Sequence, residues 1–191
     1  MSAAATLDHW ISPEAYLAGE QLSDIRHEYA CGQVFAMAGA SAAHHRIAGN
    51  FYAALNFHLI GKTCEPFQTD MKIRIEGGVD SFFYYPDLMV TCDPTDNDDY
   101  FRRFPKVIVE VLSPSTERID RSEKLRAYQT IPTLEVYILL SQNALEATVY
   151  RRSQQWERQV ITGDAGLLSI PELDFKIEFA RLYQRTGLVP V

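Results

Sequence analysis

The chain of 191 residues is long enough for one domain with a sizeable core, since 47% of its side chains are hydrophobic. Its net charge of −7 argues against a protein that coats nucleic acid through many Lys and Arg contacts, although a metal-binding acidic cluster would itself add negative charge. The chain has no apolar run of about 18 residues, which excludes a membrane-spanning helix, and no signal-peptide pattern. We predict a cytoplasmic protein that folds as a single domain over residues 1–191, with a core at about residues 41–141.

The three cysteines, Cys31, Cys64 and Cys92, are far apart in the sequence and include no CxxC pair. An odd and scattered set is typical of reduced thiols in a cytoplasmic protein. We therefore expect no disulfide, and we expect each cysteine to behave as a small buried hydrophobic residue.

The first predicted elements in chain order are a short helix, a hairpin and a longer helix. Ser12 and Pro13 begin a helix over residues 12–18, with serine at the cap and proline in the first turn. Residues 26–37, which have Cys-Gly in the middle, predict a β-hairpin. Over residues 41–59 apolar side chains recur every four positions, which predicts an amphipathic helix.

Three strand-like runs follow, at residues 67–75, 82–91 and 106–112. Gly77 and Gly78 separate the first two runs, and a polar stretch opens a loop before the third. Because only loops join these three strands, we expect them to form an antiparallel meander.

A second helix should follow the third strand. Asp120 and Glu123 have the spacing of a capping box, and Pro132 ends the helical pattern. Residues 134–140 predict a buried strand parallel to the third, and residues 147–162 predict a hairpin that extends the sheet. The predicted fold class is therefore mixed α/β, a mixed β-sheet flanked by helices in the order αβββαβ, with extra N-terminal and C-terminal hairpins.

Two carboxylates interrupt apolar strands and indicate the chemistry. Glu110 lies inside the third strand, and Asp87 enters the second. A buried charge needs a cation, a basic partner or a proton, and two converging carboxylates are best held by a hard divalent cation such as Mg²⁺. Lys124 lies 14 residues after Glu110 (124 − 110), where its side chain could reach back to the same site and stabilise developing charge.

These residues belong to a longer pattern of matching segments: His27-Glu28-Tyr29 with Gly32, His44 to Asn50, Tyr85-Pro86-Asp87, Val109 to Thr116, and Glu123-Lys124-Leu125 with Tyr128. In these segments the chain resembles the Uma-type restriction-endonuclease family, a branch of the PD-(D/E)xK nuclease superfamily. The resemblance covers roughly residues 10–185, and the Glu-Val-Leu-Ser-Pro-Ser stretch is its most specific part.

The resemblance implies a restriction-endonuclease-like core that cleaves phosphodiester bonds in double- or single-stranded DNA with Mg²⁺ or Mn²⁺. Carried onto this sequence, Asp87 and Glu110 are the motif acids and the metal ligands. The superfamily pattern would place its lysine at position 112, where this chain has Leu112, so Lys124 would supply the ammonium group. Glu28 would be an additional acidic catalytic residue that precedes the core.

Three further residues are candidates for substrate binding. His44, at the start of the helix over residues 41–59, could contact phosphate or could be a structural group. Asp70 and Lys72 alternate along the first strand and are expected to line the same cleft. Asp120 is better explained as a helix cap.

Each site residue also has a plain structural interpretation. Glu110 and Lys124 could form a buried ion pair, and Asp87 could be an ordinary residue at the start of a strand. The leading hypothesis is a Mg²⁺-dependent DNA endonuclease. The alternatives are a catalytically inactive nuclease-fold module that binds nucleic acid or protein, and a hydrolase for another phosphate ester. A homodimer would give two symmetric sites for cutting both strands of a duplex.

Overall fold

The computed structural model describes residues 10–77 and 80–189, where helices pack against mixed β-sheets. Ser12 and Ser41 cap the first two helices, because the hydroxyl of each accepts a hydrogen bond from a first-turn backbone N–H. A π-helical turn, Asp120–Lys124, joins the third helix to the fourth. None of the described helices is long and apolar enough to cross a membrane. These helices are α1 (Pro13–Glu20), α2 (Ala42–Leu59), α3 (Glu117–Ile119), α4 (Leu125–Gln129) and α5 (Phe179–Leu182).

The strands of the described ranges form two large sheets and one small sheet. They are β1 (His27–Ala30), β2 (Gln33–Ala36), β3 (Glu65–Gln68), β4 (Lys72–Gly77), β5 (Asp80–Tyr84), β6 (Leu88–Thr91), β7 (Phe101–Arg102), β8 (Pro105–Leu112), β9 (Val136–Ser141), β10 (Glu146–Arg151), β11 (Gln159–Thr162), β12 (Leu167–Ile170) and β13 (Phe175–Glu178). The large sheets have the orders β2-β1-β5-β4-β7 and β11-β10-β9-β8-β6-β3, and β12 pairs with β13.

The six-stranded sheet confirms the predicted mixed α/β class. β6 pairs antiparallel with β8, and β8 pairs parallel with β9. The helical segment from α3 to α4 connects the two parallel strands, as a crossover connection must. The predicted C-terminal hairpin is β10 and β11, which extend this sheet at its edge.

Alternation along β8 decides which side chains reach the site. Val107, Val109 and Val111 pack into the cluster formed with α2, on one face of the sheet. Ile108 and Leu112 point to the opposite face, towards α4 and the five-stranded sheet. Because successive side chains of a strand alternate between faces, residue 110 lies on this second face, between the two sheets.

Two of the predicted strands each form two shorter strands, because the backbone changes direction within the run. The run over residues 67–75 forms β3 in one sheet and β4 in the other, because Thr69 adopts a left-handed conformation with φ of 54° and redirects the backbone. The run over residues 82–91 likewise forms β5 and β6, separated by Tyr85, Pro86 and Asp87. The predicted meander is thus shared between two sheets. The predicted break at Gly78 lies outside the described residues.

The prediction that Asp120 caps the second long helix is wrong. The helical segment begins at Glu117, so Asp120 lies inside it, where its side chain is buried. The capping-box spacing was misleading, because the Asp120 carboxylate forms an ion pair with the buried Lys124 instead of accepting a hydrogen bond from the backbone at a helix end.

The prediction of reduced cysteines is also wrong, because Cys64 and Cys92 form a disulfide. Cys64 directly precedes β3 and Cys92 directly follows β6, so the bond continues the pairing of these antiparallel strands beyond Glu65 and Thr91. Cys31, expected to be buried, is exposed in the turn between β1 and β2. A cytoplasmic location therefore loses its support from the cysteines and stays a prediction from the sequence.

We expect the Cys64–Cys92 disulfide to stabilise the fold. It closes a loop between positions 28 residues apart. A cross-link that closes a loop of this length lowers the entropy of the unfolded chain and thereby stabilises the folded state by about 3.5 kcal/mol. Urea unfolding of a Cys64→Ser/Cys92→Ser variant should show this loss. Adding a reductant should destabilise the parent protein and leave the variant unchanged, and equal stability of the two oxidised proteins would contradict the expectation.

Candidate active site

Asp87 and Glu110 lie side by side on neighbouring strands of the six-stranded sheet. Asp87 immediately precedes β6, and its neighbour Leu88 pairs with Val109 of β8. The backbone N–H of Asp87 donates to Glu110 Oε2 at 3.4 Å, and the backbone N–H of Val111 donates to Asp87 Oδ2 at 2.7 Å. Each strand therefore holds the carboxylate of the other, which fixes the two acids next to each other.

Lys124 reaches this pair from the π-helical turn and is surrounded by carboxylates. Its Nζ lies 2.8 Å from Glu28 Oε1, 3.1 Å from Glu110 Oε1 and 3.4 Å from Asp120 Oδ1. A π-helical turn carries one extra residue, which changes the face on which the following side chains lie. Asp120 and Lys124 lie at the two ends of this turn, and both side chains are buried.

Glu28 joins the five-stranded sheet to the site. It lies on β1, and its Oε1 also accepts a hydrogen bond from the backbone N–H of Tyr85 at 3.2 Å. The sequence predicted Glu28, Asp87, Glu110 and Lys124 as site residues, and the structure brings all four together.

Sequence reasoning missed two members of this cluster. The hydroxyl of Tyr128, on α4, donates to Glu110 Oε1 at 2.9 Å, and Asp120 pairs with Lys124. Tyr128 was named only as part of the family pattern, without a role at the site. The position of Tyr128 four residues after Lys124, on the same side of the helix, is the signal that could have indicated a polar role.

Burial sets the electrostatics of the cluster. Burial raises the pKa of the Glu110 carboxyl well above its usual range, with Lys124 opposing and the nearby carboxylates adding to the rise. Burial alone would lower the pKa of Lys124, but Glu110, Glu28 and Asp120 together raise it well above its usual value. Lys124 is therefore protonated at neutral pH and balances the negative charge around it.

His44 contacts the second acid of the pair. It lies in the first turn of α2, is 8% exposed, and places Nε2 at 3.2 Å from Asp87 Oδ2. Its Nδ1 is buried without a hydrogen-bond partner in the part of the chain that the structure describes. The structure thus shows His44 in contact with Asp87. The predicted contact between His44 and phosphate stays a prediction.

Asp70 and Lys72 do not share the cleft, contrary to the prediction. The Asp70 side chain is 70% exposed and pairs with Arg26, because the turn at Thr69 directs it to the surface. Lys72 is buried and donates to the hydroxyl of Tyr85 at 3.2 Å. Neither side chain is among the described residues that line the cavity at the acid pair.

A cavity of about 410 Å³ opens onto the acids. Its acidic side is formed by Glu28, Asp87, Glu110, Asp120 and Glu123. Its other wall is mostly apolar and comes from β2 and the segment after it, residues 35–40. The cavity is of the size that takes a small ligand or a single group of a larger one, since such pockets measure about 300–1,000 Å³.

The donor set fits an open magnesium site better than a closed one. Within the described ranges, no three His, Cys, Asp or Glu side chains are arranged to hold a metal by themselves. Magnesium is commonly bound by one or two carboxylates, with waters and substrate phosphates completing its shell. Asp87 and Glu110 are such a pair, and Asp87 is 22% exposed at the cavity. These residues fit Mg²⁺ or Mn²⁺, with the remaining positions left to solvent and substrate.

Comparison with known proteins agrees with this fold. Residues 13–181 match the model of the Uma2 family, described as "Putative restriction endonuclease". The chain is 37% identical over 156 residues to Uncharacterized protein slr1290 of Synechocystis sp. (81% of each chain), and 31% identical over 154 residues to Uncharacterized protein sll1609 of the same organism (78% of this chain, 86% of that one). A crystal structure of "a putative nuclease belonging to DUF820" from Anabaena variabilis is similar in fold, with TM-score 0.73 and 16% identity over 92% of this chain and 99% of that one.

The fold is similar to that of this nuclease, which confirms the predicted fold class, a mixed α/β fold like that of restriction endonucleases. The chain belongs to the Uma2 family, because the family model matches most of its length. The resemblance found in the sequence is thereby confirmed.

Proposed function

We propose that this protein is a Mg²⁺- or Mn²⁺-dependent endonuclease that hydrolyses phosphodiester bonds in DNA. The observation that carries the proposal is the placement of Asp87 and Glu110 side by side at the cavity, each held by the backbone of the other's strand. Membership of the Uma2 family supports a nuclease, and the donor set supports the metal.

Asp87 and Glu110 are the proposed ligands of the metal. The ion, when bound there, would polarise a phosphoryl oxygen and make a bound water more acidic. His44 would hold the Asp87 carboxylate in place through Oδ2, and Tyr128 would hold Glu110 through Oε1. These contacts fix the orientation of both ligands before substrate binds, which is what a precise metal site requires.

Lys124 would act as a fixed positive charge in this mechanism. Its ammonium group is already paired with Glu28, Glu110 and Asp120, which raise its pKa, so it would act as a cation rather than as a base. Its charge would instead offset the negative charge of the acids when an anionic phosphate approaches them. Lys124 would thus supply the positive charge that the superfamily pattern places at position 112, where this chain has Leu112.

The catalytically inactive module is the second candidate, and one observation favours it. Lys124 is 4% exposed and its ammonium group is already paired with Glu28, Glu110 and Asp120. A lysine in that state would serve stability alone if the chain only bound DNA or a protein. Homodimerisation, which would supply two sites for duplex cleavage, stays a prediction under either candidate.

The two candidates differ in a direct cleavage assay. Supercoiled plasmid and single-stranded DNA are incubated with the purified protein in Mg²⁺, in Mn²⁺ and in excess EDTA. The endonuclease should cut at least one substrate with either metal and none in EDTA. Absence of cleavage under all conditions, with a correctly folded protein, would favour the inactive module instead.

A further inference from the structure

The apolar wall of the cavity presents an exposed aromatic ring. Phe35, on β2, is 51% exposed, and Met37, two residues later, is 42% exposed. Both line the cavity, in agreement with the alternation of side chains along an extended chain. β2 is the edge strand of the five-stranded sheet, and all four of its residues are exposed. The ring therefore stands at the mouth of the cavity rather than in a core.

The strand register places this ring beside the acid cluster. Phe35 is the cross-strand partner of Glu28 in the antiparallel pair of β1 and β2. Directly opposite side chains lie on the same face of a sheet, with Cβ atoms about 4.5–5.5 Å apart. Glu28 Oε1 is 2.8 Å from Lys124 Nζ, and Lys124 Nζ also contacts Glu110. The apolar wall is therefore continuous with the candidate active site.

The charges around the cavity do not match the backbone of a double helix. Five acids line it, whereas its described cationic side chains are Arg118 and the already paired Lys124. Binding along duplex DNA draws on many Lys and Arg contacts to phosphates. This cavity offers instead an aromatic face for one base and, through a metal at the acids, a position for one phosphate.

Only an unpaired base can use that aromatic face. In a duplex both faces of each base are covered by its neighbours, so a protein ring stacks on bases that are single-stranded or have left the helix. We propose, on the basis of the function proposed above, that the cavity takes single-stranded DNA, with an unpaired base stacked on Phe35 and the adjoining phosphate at Asp87 and Glu110.

Binding is the test of this proposal. Fluorescence anisotropy compares a labelled oligonucleotide with the same strand annealed to its complement, in Ca²⁺, with gels verifying that the DNA stays intact. The single strand should bind about tenfold or more tighter than the duplex. Phe35→Ala should weaken single-strand binding by about tenfold, since loss of one stacked base costs on that order. Phe35→Tyr, which keeps the ring, should restore it.

Phe57→Ala is the matched control. Phe57 is 76% exposed on α2 and is not among the described residues that line the cavity, so its replacement should leave DNA binding unchanged. Equal binding of single strand and duplex, or unchanged binding by Phe35→Ala, would overturn the proposal.

Cleavage in Mg²⁺ or Mn²⁺ separates this proposal from the endonuclease proposal. If the duplex is cut as well as the single strand, the endonuclease proposal stands and the single-strand proposal is overturned. If the single strand binds in a Phe35-dependent way but is never cut, the single-strand proposal stands and the endonuclease proposal is overturned.

Discussion

Replacing Glu110 by glutamine is expected to lower DNA cleavage by at least about a hundredfold, because it removes a metal ligand and the negative charge that faces the cation. The amide is close in size to the carboxylate and its oxygen can still accept the hydrogen bond from Tyr128. The fold should therefore persist, with a circular dichroism spectrum like that of the parent protein. The measurement is the rate of plasmid or single-strand cleavage in saturating Mg²⁺.

Glu135→Gln is the matched control for this substitution. Glu135 is an acid just before β9, with 44% of its side chain exposed, and it pairs with Lys106 away from the cavity. Its replacement should leave the cleavage rate unchanged. A Glu110→Gln protein that cleaves DNA at the parent rate would remove Glu110 from the proposed site.

Replacing Lys124 by methionine is expected to destabilise the protein by about 3–5 kcal/mol, because it leaves buried carboxylates without their cation. Lys124 is 4% exposed and contacts Glu28, Glu110 and Asp120. Burial already opposes ionisation of Glu110, so loss of the lysine should shift this carboxyl further towards the protonated form. The free energy of unfolding in urea measures the effect.

Two further variants test the cause of the destabilisation expected for Lys124→Met. Lys62→Met makes the same change at an exposed lysine after α2 and should alter the unfolding free energy by less than about 0.5 kcal/mol. In the Lys124→Met/Glu110→Gln double variant, removal of one buried charge should recover part of the loss, so that the two effects are not additive. Full stability of Lys124→Met would show that the carboxylates do not depend on this lysine.

The two acids could be predicted because each interrupts a run of apolar strand residues, and the lysine could be predicted from its distance along the chain from Glu110. Glu110 is a carboxylate in a run of apolar strand residues, and Asp87 occupies a similar position before β6. Lys124 follows at a distance that a crossover helix can span back to the sheet. The inference rests on the energetic cost of burying a charge, since a buried charge without a partner would destabilise the fold.

The expectation that Asp70 and Lys72 line the same cleft as the acids was wrong for a local reason. Their alternation suggested one continuous strand, but the left-handed backbone at Thr69 separates β3 from β4. Threonine is unusual in that conformation, so nothing in its identity indicated the break. Lys72 instead joins a buried group with Tyr85 and Glu20 that only the three-dimensional structure brings together.

The disulfide and the π-helical turn were also beyond sequence reasoning. Cys64 and Cys92 become neighbours only when β3 pairs with β6, so their sequence separation gave no indication of contact. Asp120 and Lys124 are four residues apart, which suits an ordinary helix equally well. The contacts of Lys124 with Glu110 and Glu28, which are remote in sequence, form only in the folded chain.

Titration with Mn²⁺, followed by calorimetry, tests most directly the claim that Asp87 and Glu110 together hold a divalent cation. The parent protein should bind the metal, whereas Asp87→Asn and Glu110→Gln should each lose that binding, and Glu135→Gln should keep it. Mn²⁺ binding that persists in both site variants, or a folded parent protein that binds no Mn²⁺ even with DNA present, would contradict the claim.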